Sequence, residues 1–263
     1  MAAMTPALSP LSVPLQQSPQ FARALAALGV DVLSDAPVVT RRRFGPLGAV
    51  TFASRLRAAD LAARPRVINA EDAAPDRYRA AGYRQIITPA HCADWDLDVP
   101  DLTVGMSGAW RTALRSGKAQ GLRVKLSRWA GTPHVLFDHA RALERIRGFR
   151  GYPLSLLAAF AKVDPANALL FEAFDRGHLV AACLVLRHGA TATYQTAWSS
   201  AEGRRAEAAR VLLIHAARHL KSLGTTTFDL GLVDTDHGKG LARFKLGSGA
   251  RPRTLGGTWL RVI

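Results

Sequence analysis

The chain has 263 residues, 48% of them hydrophobic, which is enough for one large or two small domains with a substantial core. Lysine and arginine number 35 against 20 acidic residues, and the net charge of +15 favours a polyanionic partner: nucleic acid, nucleotide phosphates or an anionic membrane surface. The two cysteines are far apart and no apolar run approaches about 20 residues, which argues against a disulfide scaffold and a transmembrane segment.

Arginine-rich and alanine-rich composition can also follow from a GC-rich genome, so the charge has two open explanations. Residues 1–14 are rich in alanine, proline and serine, and we expect them to be disordered. They lack the basic start and continuous apolar core of a signal peptide. The sequence therefore predicts a cytoplasmic protein.

The first half of the chain predicts short elements. Ser18 is a good N-cap and Pro19 suits the first helical position, so a helix should begin there and end at Gly29. A turn at 45–48 should join two strands into a hairpin, and His91 and Cys92 should lie in a loop without enough neighbours for a metal site. The predicted strands are 38–43, 49–54, 66–69 and 85–88, and a short helix covers 76–81.

A boundary is expected near residue 100, and longer elements follow it. Three strands joined by short turns predict an antiparallel meander, because such turns are too short for a parallel crossover. The predicted helices are 107–120, 137–146, 153–163 and 201–223, and the predicted strands are 122–126, 168–174, 179–187, 191–197, 228–232 and 258–263. Between the last two strands, residues 240–247 predict a helical turn that presents Lys245.

Basic residues recur on the helix 107–120 and on the strand after it. Arg111, Arg115 and Lys118 share one helical face, and Arg123 and Lys125 alternate with apolar neighbours. A solvated surface explains such a pattern, and so does phosphate binding, since clustered basic residues are typical of anion recognition.

A meander, a long helix and a further strand indicate an α/β protein with a mixed sheet. In such a sheet the strands before and after the long helix can diverge, and a substrate carbonyl can lie between them. The chain has no Walker loop, no nucleophile elbow and no dinucleotide-binding glycine turn.

This arrangement resembles the acyltransferase fold of Gcn5-related N-acetyltransferases and, more closely, of the Fem family of peptidoglycan-bridge aminoacyltransferases. The motifs that carry the resemblance lie at 17–21 (QSPQF), 110–115 (WRTALR), 193–198 (TYQTAW), 228–231 (FDLG) and 240–245 (GLARFK). They occur in the expected order over almost the whole chain.

The resemblance implies an acyl-CoA N-acyltransferase-like fold, with an abbreviated N-terminal half at 15–100 and a complete C-terminal half at 101–263. It implies transfer of an aminoacyl or acyl group from charged tRNA or acyl-coenzyme A to a primary amine. The donor would be a co-substrate, and neither a tightly bound cofactor nor a metal is expected. In Fem-like enzymes the acceptor is a peptidoglycan precursor.

The same resemblance suggests roles for individual residues. Lys245 would stabilise the developing oxyanion, because a fixed cation acts electrostatically on a carbonyl that gains negative charge. Phe244 would form a wall of the cleft. Tyr194, Trp198 and Asp229 would line the cleft. Arg111 and Arg115 would bind the substrate, and Arg204 and Arg205 would bind the phosphate of the donor. The proton acceptor would be water, Asp229 or Asp236.

The chain also departs from its relatives. Leu232 stands where a second glycine is common, no aromatic residue follows Lys245 in the turn, and no coiled-coil arm for tRNA is visible. The glycine spacing of the coenzyme A loop is missing at 202–208. Lys245 can also be read as a surface lysine near a helix C-terminus. The alternative function is therefore a non-catalytic basic protein that binds RNA or an anionic surface.

Overall fold

A computed structural model describes residues 12–43, 45, 48–148, 151–236 and 238–261. The helices are α1 (Pro19–Ala27), α2 (Pro75–Ala80), α3 (Gly108–Ala119), α4 (Val135–Arg147), α5 (Leu154–Val163), α6 (Ala201–Arg205), α7 (Ala208–Ser222) and α8 (Lys239–Gly247). The strands are β1 (Asp31–Asp35), β2 (Val38–Arg43), β3 (Ala49–Leu56), β4 (Val67–Ala70), β5 (Tyr83–Ile87), β6 (His91–Asp96), β7 (Arg123–Arg128), β8 (Ala168–Asp175), β9 (His178–His188), β10 (Thr191–Ser199), β11 (Thr227–Val233), β12 (Arg251–Thr254) and β13 (Gly257–Arg261).

Two mixed sheets form the framework. The first has the order β1-β2-β3-β4-β13-β5, and the second has the order β12-β6-β11-β10-β9-β8-β7. Each sheet contains one parallel pair, β3 with β4 in the first and β10 with β11 in the second. The three strands β8, β9 and β10 form the predicted antiparallel meander. The mixed α/β class expected from the sequence is confirmed.

Helix starts follow the sequence closely. The Ser18 hydroxyl accepts a hydrogen bond from the Phe21 N–H over 3.2 Å, and Ser107 caps α3 in the same way through the Trp110 N–H. Each cap satisfies one of the N–H groups that a helix leaves unpaired at its first turn. These interactions fix α1 and α3 at the predicted positions.

The predicted boundary near residue 100 does not separate the two sheets. Strand β6, which precedes it, lies in the second sheet between β11 and β12. Strand β13, at the end of the chain, lies in the first sheet between β4 and β5. Trp259 of β13 is 1% exposed and stacks on Tyr78 at 5.3 Å, so burial of this indole holds the last strand in the first sheet.

The predicted long helix at 201–223 is wrong in one respect, because it is two helices. Glu207 separates α6 from α7 with a φ of 56°, a left-handed conformation that stops a helix. Gly203 lies in α6 directly against β9, where a Cβ atom would collide with the Val180 carbonyl oxygen. Short α6 thus packs on the sheet and α7 starts anew.

The predicted disorder at 1–14 is wrong for residues 12–14. Ser12 is only 4% exposed, and its carbonyl oxygen accepts a hydrogen bond from Arg57. Leu15, in the 3-10 helix Leu15–Gln17, is fully buried and draws the segment onto the body of the protein. Residues 1–11, part of the predicted turn at 45–48 and the last two residues of the final predicted strand lie outside the described residues.

The two faces of the second sheet are covered differently. Helices α3 and α7 pack on one face, around Trp110, Phe171 and Leu212. Helices α1, α4 and α5 cover part of the other face, around Phe160 and Leu184. The first sheet meets the second where Arg55 contacts Asp229 and Glu71 contacts Arg253. In the described part of the chain, no helix is long and apolar enough to cross a membrane.

Candidate active site

The parallel strands β10 and β11 diverge after a short contact. Their pairing runs from Thr191 with Thr227 to Thr193 with Asp229. Beyond this point β10 continues along β9, and β11 continues along β6 as far as Val233. In the described part of the chain, β10 and β11 therefore do not pair with each other beyond Thr193 and Asp229. This is the divergence that the order of elements predicts.

Lys245 lies beside the diverging strand β11. Its Nζ atom donates a hydrogen bond to the Leu232 carbonyl oxygen over 2.7 Å, and the residue is only 7% exposed. Burial lowers the pKa of the Lys245 ammonium to about 8, because a charged group loses hydration there. Lys245 is therefore a buried cation of the site and not the surface lysine of the alternative reading.

Gly231 lies against this lysine. Its φ is 78°, a left-handed conformation that favours glycine, and a Cβ atom there would make ordinary contact with the Lys245 Nζ atom at 3.6 Å. The Gly231 N–H donates to the Asp229 Oδ1 atom over 2.7 Å. The sequence Asp229-Leu230-Gly231 thus builds a tight bend that holds a carboxylate close to the Lys245 ammonium.

Phe244 is part of an aromatic support behind Lys245. The Trp110 indole N–H donates to the Phe244 carbonyl oxygen over 3.0 Å, and the two rings lie 6.2 Å apart. The Arg210 guanidinium lies 5.9 Å from both ring centroids and is ion-paired with Glu207. The phenyl ring packs against the core, so Phe244 holds the turn that carries Lys245.

A network of buried charges surrounds Asp229. Arg55 and Arg253 both bind the Glu71 carboxylate, which is 1% exposed. Arg253 also binds the Asp94 Oδ2 atom over 2.6 Å, and Arg55 reaches the Asp229 Oδ2 atom at 3.4 Å. These contacts link β3, the residue after β4, β6, β11 and β12, so the site lies where the two sheets meet.

Burial and neighbouring charge change the protonation of this network. Burial raises the pKa of the Asp94 carboxyl, and the nearby Asp229 carboxylate raises it further. Burial also raises the pKa of the Cys92 thiol to about 12. The raised pKa keeps the Cys92 thiol protonated at neutral pH, so Cys92 is not a nucleophile.

Sequence reasoning identified Asp229 but missed four members of the network: Arg55, Glu71, Asp94 and Arg253. They come from four separate segments, and contacts such as Arg55 with Asp229 span 174 residues. No local spacing could have brought them together. Arg55 has a positive φ of 58°, an uncommon backbone conformation that can mark a functional site. This conformation is seen in the folded structure and could not be read from the sequence.

Tyr194 and Trp198, both expected in the cleft, do not share one face of the sheet. A β-bulge at Gln195 shifts the register of β10 on β9, so the two side chains point to opposite faces of the sheet. Tyr194 is half-buried with its ring edge-on to Phe228, and Trp198 stacks on the His139 ring at 4.4 Å. The four-residue spacing places two side chains on one face only in a strand without a bulge.

Arg204 and Arg205 are exposed on α6. The Arg204 guanidinium donates to the Ser199 carbonyl oxygen over 2.8 Å, and Arg205 pairs with Glu202 at 3.1 Å. The Ser200 hydroxyl caps the helix by accepting from the Gly203 N–H. The Arg204 guanidinium therefore lies at the end of β10, and the Arg205 guanidinium lies on the exposed side of α6.

The predicted basic surface is divided. Arg111 and Arg115 are exposed on α3, and α3 contacts α8 through Trp110. On β7, Val124 packs toward the cluster that α3 covers, whereas Lys125 binds Glu172 at 3.5 Å on the other face. The basic side chains of α3 and β7 thus point to opposite sides of this edge strand.

Two further predictions concern His91 and Asp236. The expected loop at His91 and Cys92 is wrong, because both residues open β6 and pair with β11 and β12. Asp236, the other candidate base, is exposed in the loop after β11. Within the described residues, no group of three or more histidine, cysteine or acidic side chains could hold a metal ion.

Comparison with known proteins shows the family and the fold of the chain. The family model of the acetyltransferase (GNAT) domain matches residues 109–246, more than half of the chain. A crystal structure of FemX superposes with a TM-score of 0.73 at 15% identity and covers 95% of this chain and 92% of its own. The structure of L-PGS from Bacillus licheniformis superposes with a TM-score of 0.58 at 14% identity, covering 95% and 94%. A sequence comparison with curated proteins found no significant match.

Proposed function

Because the chain belongs to the family of GNAT acetyltransferase domains, we propose that it is an N-acyltransferase that moves an acyl or aminoacyl group onto a primary amine. The superposition on FemX supports the Fem-like variant of this fold. The expected acyltransferase fold and the expected superfamily are confirmed. The donor, the acceptor and the roles of single residues are our proposals.

The observation that carries the proposal is the buried Lys245 at the divergence of β10 and β11. A cation with 7% exposure costs stability, so its retention beside an opened sheet suggests a role in charge stabilisation. With a pKa of about 8, Lys245 is mostly protonated at neutral pH. It can therefore present positive charge to a carbonyl oxygen in the gap.

The proposed reaction is direct attack by the acceptor amine on the donor carbonyl carbon. A carbon–nitrogen bond forms, and the carbonyl oxygen gains a negative charge that the Lys245 ammonium stabilises. Collapse of this intermediate breaks the bond to the leaving group, a thiol in coenzyme A or a ribose hydroxyl in tRNA. The amine proton leaves to water or to Asp229, and the leaving group takes up a proton.

Asp229 is the better placed of the two candidate carboxylates. It lies at the point where the strands part, whereas Asp236 is in an exposed loop. Its Oδ1 atom accepts from Gly231 and its Oδ2 atom faces Arg55, so the carboxylate is held in one orientation. A carboxylate held in this way can accept a proton from an amine that enters the gap between β10 and β11.

Either donor class requires phosphate recognition near the site. We assign Arg204 and Arg205 to donor phosphate, because both are exposed at the end of β10, and Arg111 and Arg115 to the longer substrate on α3. A tRNA donor would use both arginine pairs, whereas acyl-coenzyme A would need the first pair only. Replacing each pair separately distinguishes the donors by which pair changes KM.

The test begins with a thermal-shift screen of acyl-coenzyme A, charged tRNA and peptide or nucleotide-sugar amines. A ligand at about 100 times its Kd should stabilise the protein by roughly 2.7 kcal/mol. With a responding donor and acceptor, Lys245→Ala should reduce transfer about 100-fold, the scale of losing one oxyanion-stabilising group.

Lys239→Ala is the matched control, since Lys239 is an exposed lysine on the same helix, whereas Lys245 is buried. Full transfer by Lys245→Ala would refute the assignment. Salt-dependent RNA binding without any transfer would instead support the non-catalytic alternative, which no observation in the described residues specifically favours.

A further inference from the structure

A small polar cavity lies between the two sheets beside Asp229. Three carboxylates line it, Glu71, Asp94 and Asp229, together with the guanidiniums of Arg55 and Arg253. Lys245 does not line it, because its ammonium is bound to the Leu232 carbonyl oxygen. The charged lining therefore has one more acidic than basic group.

Thr191 contributes an unpaired hydroxyl group to the lining of this cavity. The residue lines the cavity and is 4% exposed, yet within the described residues its Oγ atom has no hydrogen-bond partner. Its cross-strand neighbour His188 is hydrogen-bonded to the Val13 backbone, and its Nε2 atom lies 3.0 Å from the Thr193 hydroxyl. A buried polar group without a partner costs stability, so the Thr191 hydroxyl points to a ligand that completes it.

Residues 12–14 form the roof of the cavity. The segment is anchored at its C-terminal end, where Leu15 is buried and the Gln17 amide donates to the Ser54 carbonyl oxygen over 2.6 Å. Toward the N-terminus, Arg57 holds the Ser12 carbonyl oxygen. The roof thus has a fixed end at Leu15 and a releasable contact at Ser12.

We propose that this cavity binds the primary amine group of the acceptor, and that residues 12–14 are a strap that opens to admit it. The proposal rests on the proposed function, since it names where the nucleophile of that reaction is held. An amine can donate hydrogen bonds to Asp94 and Asp229 and a further one to the Thr191 Oγ atom. The excess acidic charge of the lining favours a cation over an anion.

The chemistry of the cavity can be tested without any acyl donor. In Thr191→Cys, a thiol replaces the unpartnered hydroxyl and reports on entry of small methanethiosulfonate reagents. Each labelling rate is divided by the rate of the same reagent with a free thiol in solution. On this scale the aminoethyl reagent, which carries a primary ammonium, should label the cysteine about tenfold faster than the sulfonatoethyl reagent. Equal rates, or faster labelling by the anion, would overturn the amine assignment. Thr227→Cys, on the same lining, replaces this variant if Thr191→Cys does not fold.

The strap is tested by releasing its contact at Ser12. In the labelling variant, Arg57→Ala should raise the rate about tenfold, the effect expected for losing one hydrogen bond to a charged group. Arg79→Ala is the control, because Arg79 is exposed and forms a surface pair with Asp76. An unchanged rate in Arg57→Ala would overturn the strap.

The native cysteines separate local opening from unfolding. Cys183 is fully buried in the sheet core and should label only when the protein unfolds globally. If Cys183 reacts as fast as the reporter at position 191, entry requires unfolding and the strap is refuted. Loss of transfer in Lys245→Ala is measured independently of this labelling, so either proposal can fail while the other stands.

Discussion

The Lys245 ammonium is hydrogen-bonded to the Leu232 carbonyl oxygen, which ties the last turn of α8 to the end of β11. The pairing of β11 with β6 is interrupted between Asp229 and Leu232, and it resumes where Leu232 pairs with Cys92. The interruption coincides with the bend at Gly231. The irregularity of the strand and the buried cation therefore lie side by side at the end of β11.

Lys245 should make the stability of the protein depend on alkaline pH. Burial lowers its pKa from 10.5 to about 8, so between these values the unfolded chain binds a proton that the folded protein has lost. Stability should therefore rise with pH across this window, by about 3 kcal/mol. Below pH 8 both states are charged and the full cost of burial is present.

Lys245→Met isolates this contribution from other alkaline titrations. Compared with the unmodified protein, the variant should be more stable at neutral pH, and the difference should shrink by about 3 kcal/mol as the pH approaches 10.5. Urea denaturation at a series of pH values measures it. Parallel stability curves for the two proteins would mean that Lys245 has an ordinary pKa.

The pH dependence of transfer activity should reflect the ionisation of Lys245. Since the protonated lysine is proposed to stabilise the oxyanion, kcat should fall as the pH rises above about 8. Lys245→Arg keeps its charge at higher pH, so whatever activity remains should lose this alkaline limb. An alkaline limb that persists unchanged in Lys245→Arg would assign the titration to another group.

Glu71 should be the most sensitive member of the buried charge network. It accepts hydrogen bonds from both Arg55 and Arg253, so Glu71→Gln removes the one carboxylate that the two guanidiniums share and leaves Arg55 only the longer contact with Asp229. We expect a loss of about 3–5 kcal/mol in the free energy of unfolding. Asp76→Asn, which breaks an exposed pair with Arg79, should cost less than about 1 kcal/mol. Similar losses in both variants would contradict the buried network.

Gly203 should tolerate no side chain. In Gly203→Ala the new Cβ atom meets the Val180 carbonyl oxygen, which belongs to the backbone of β9 and cannot move aside cheaply. We expect α6 to shift and stability to fall by about 1–3 kcal/mol. Gly240→Ala, whose Cβ atom meets nothing within 4 Å, should instead stabilise α8 by about 0.5–1 kcal/mol. Calorimetric melting of both variants tests the contrast.

Trp110 should affect transfer through Phe244. Trp110→Phe removes the hydrogen bond from the indole to the Phe244 carbonyl oxygen, at a cost of about 1 kcal/mol, and loosens the turn that carries Lys245. We expect kcat to fall while KM changes little. Trp129→Phe removes an equivalent indole bond, to Thr132, away from the site, and it should cost similar stability without lowering kcat. A matched fall in kcat in both variants would show a general effect of stability.

Local sequence patterns predicted several helices and strands well. The helix starts at 18 and 107, the meander and the lysine turn follow from hydrogen bonding and periodicity within a few residues, so single-chain reasoning reaches them. The same reasoning failed at Glu207 and at the Gln195 bulge. In both places the backbone takes a conformation that packing selects and that residue preferences do not announce.

The sequence by itself determined the mixed α/β class, because this class depends on short-range order and on the connection lengths between elements. The same order of elements allows β10 and β11 to diverge, and the resemblance to Fem-like enzymes pointed to Lys245 as the candidate lysine. Only the tertiary structure decided that Lys245 is buried and that Arg55, Glu71, Asp94 and Arg253 surround Asp229. It also decided that residues 12–14 cover the cavity. These contacts join segments far apart in the chain, and burial alone brings their charges close enough to shift one another's pKa values.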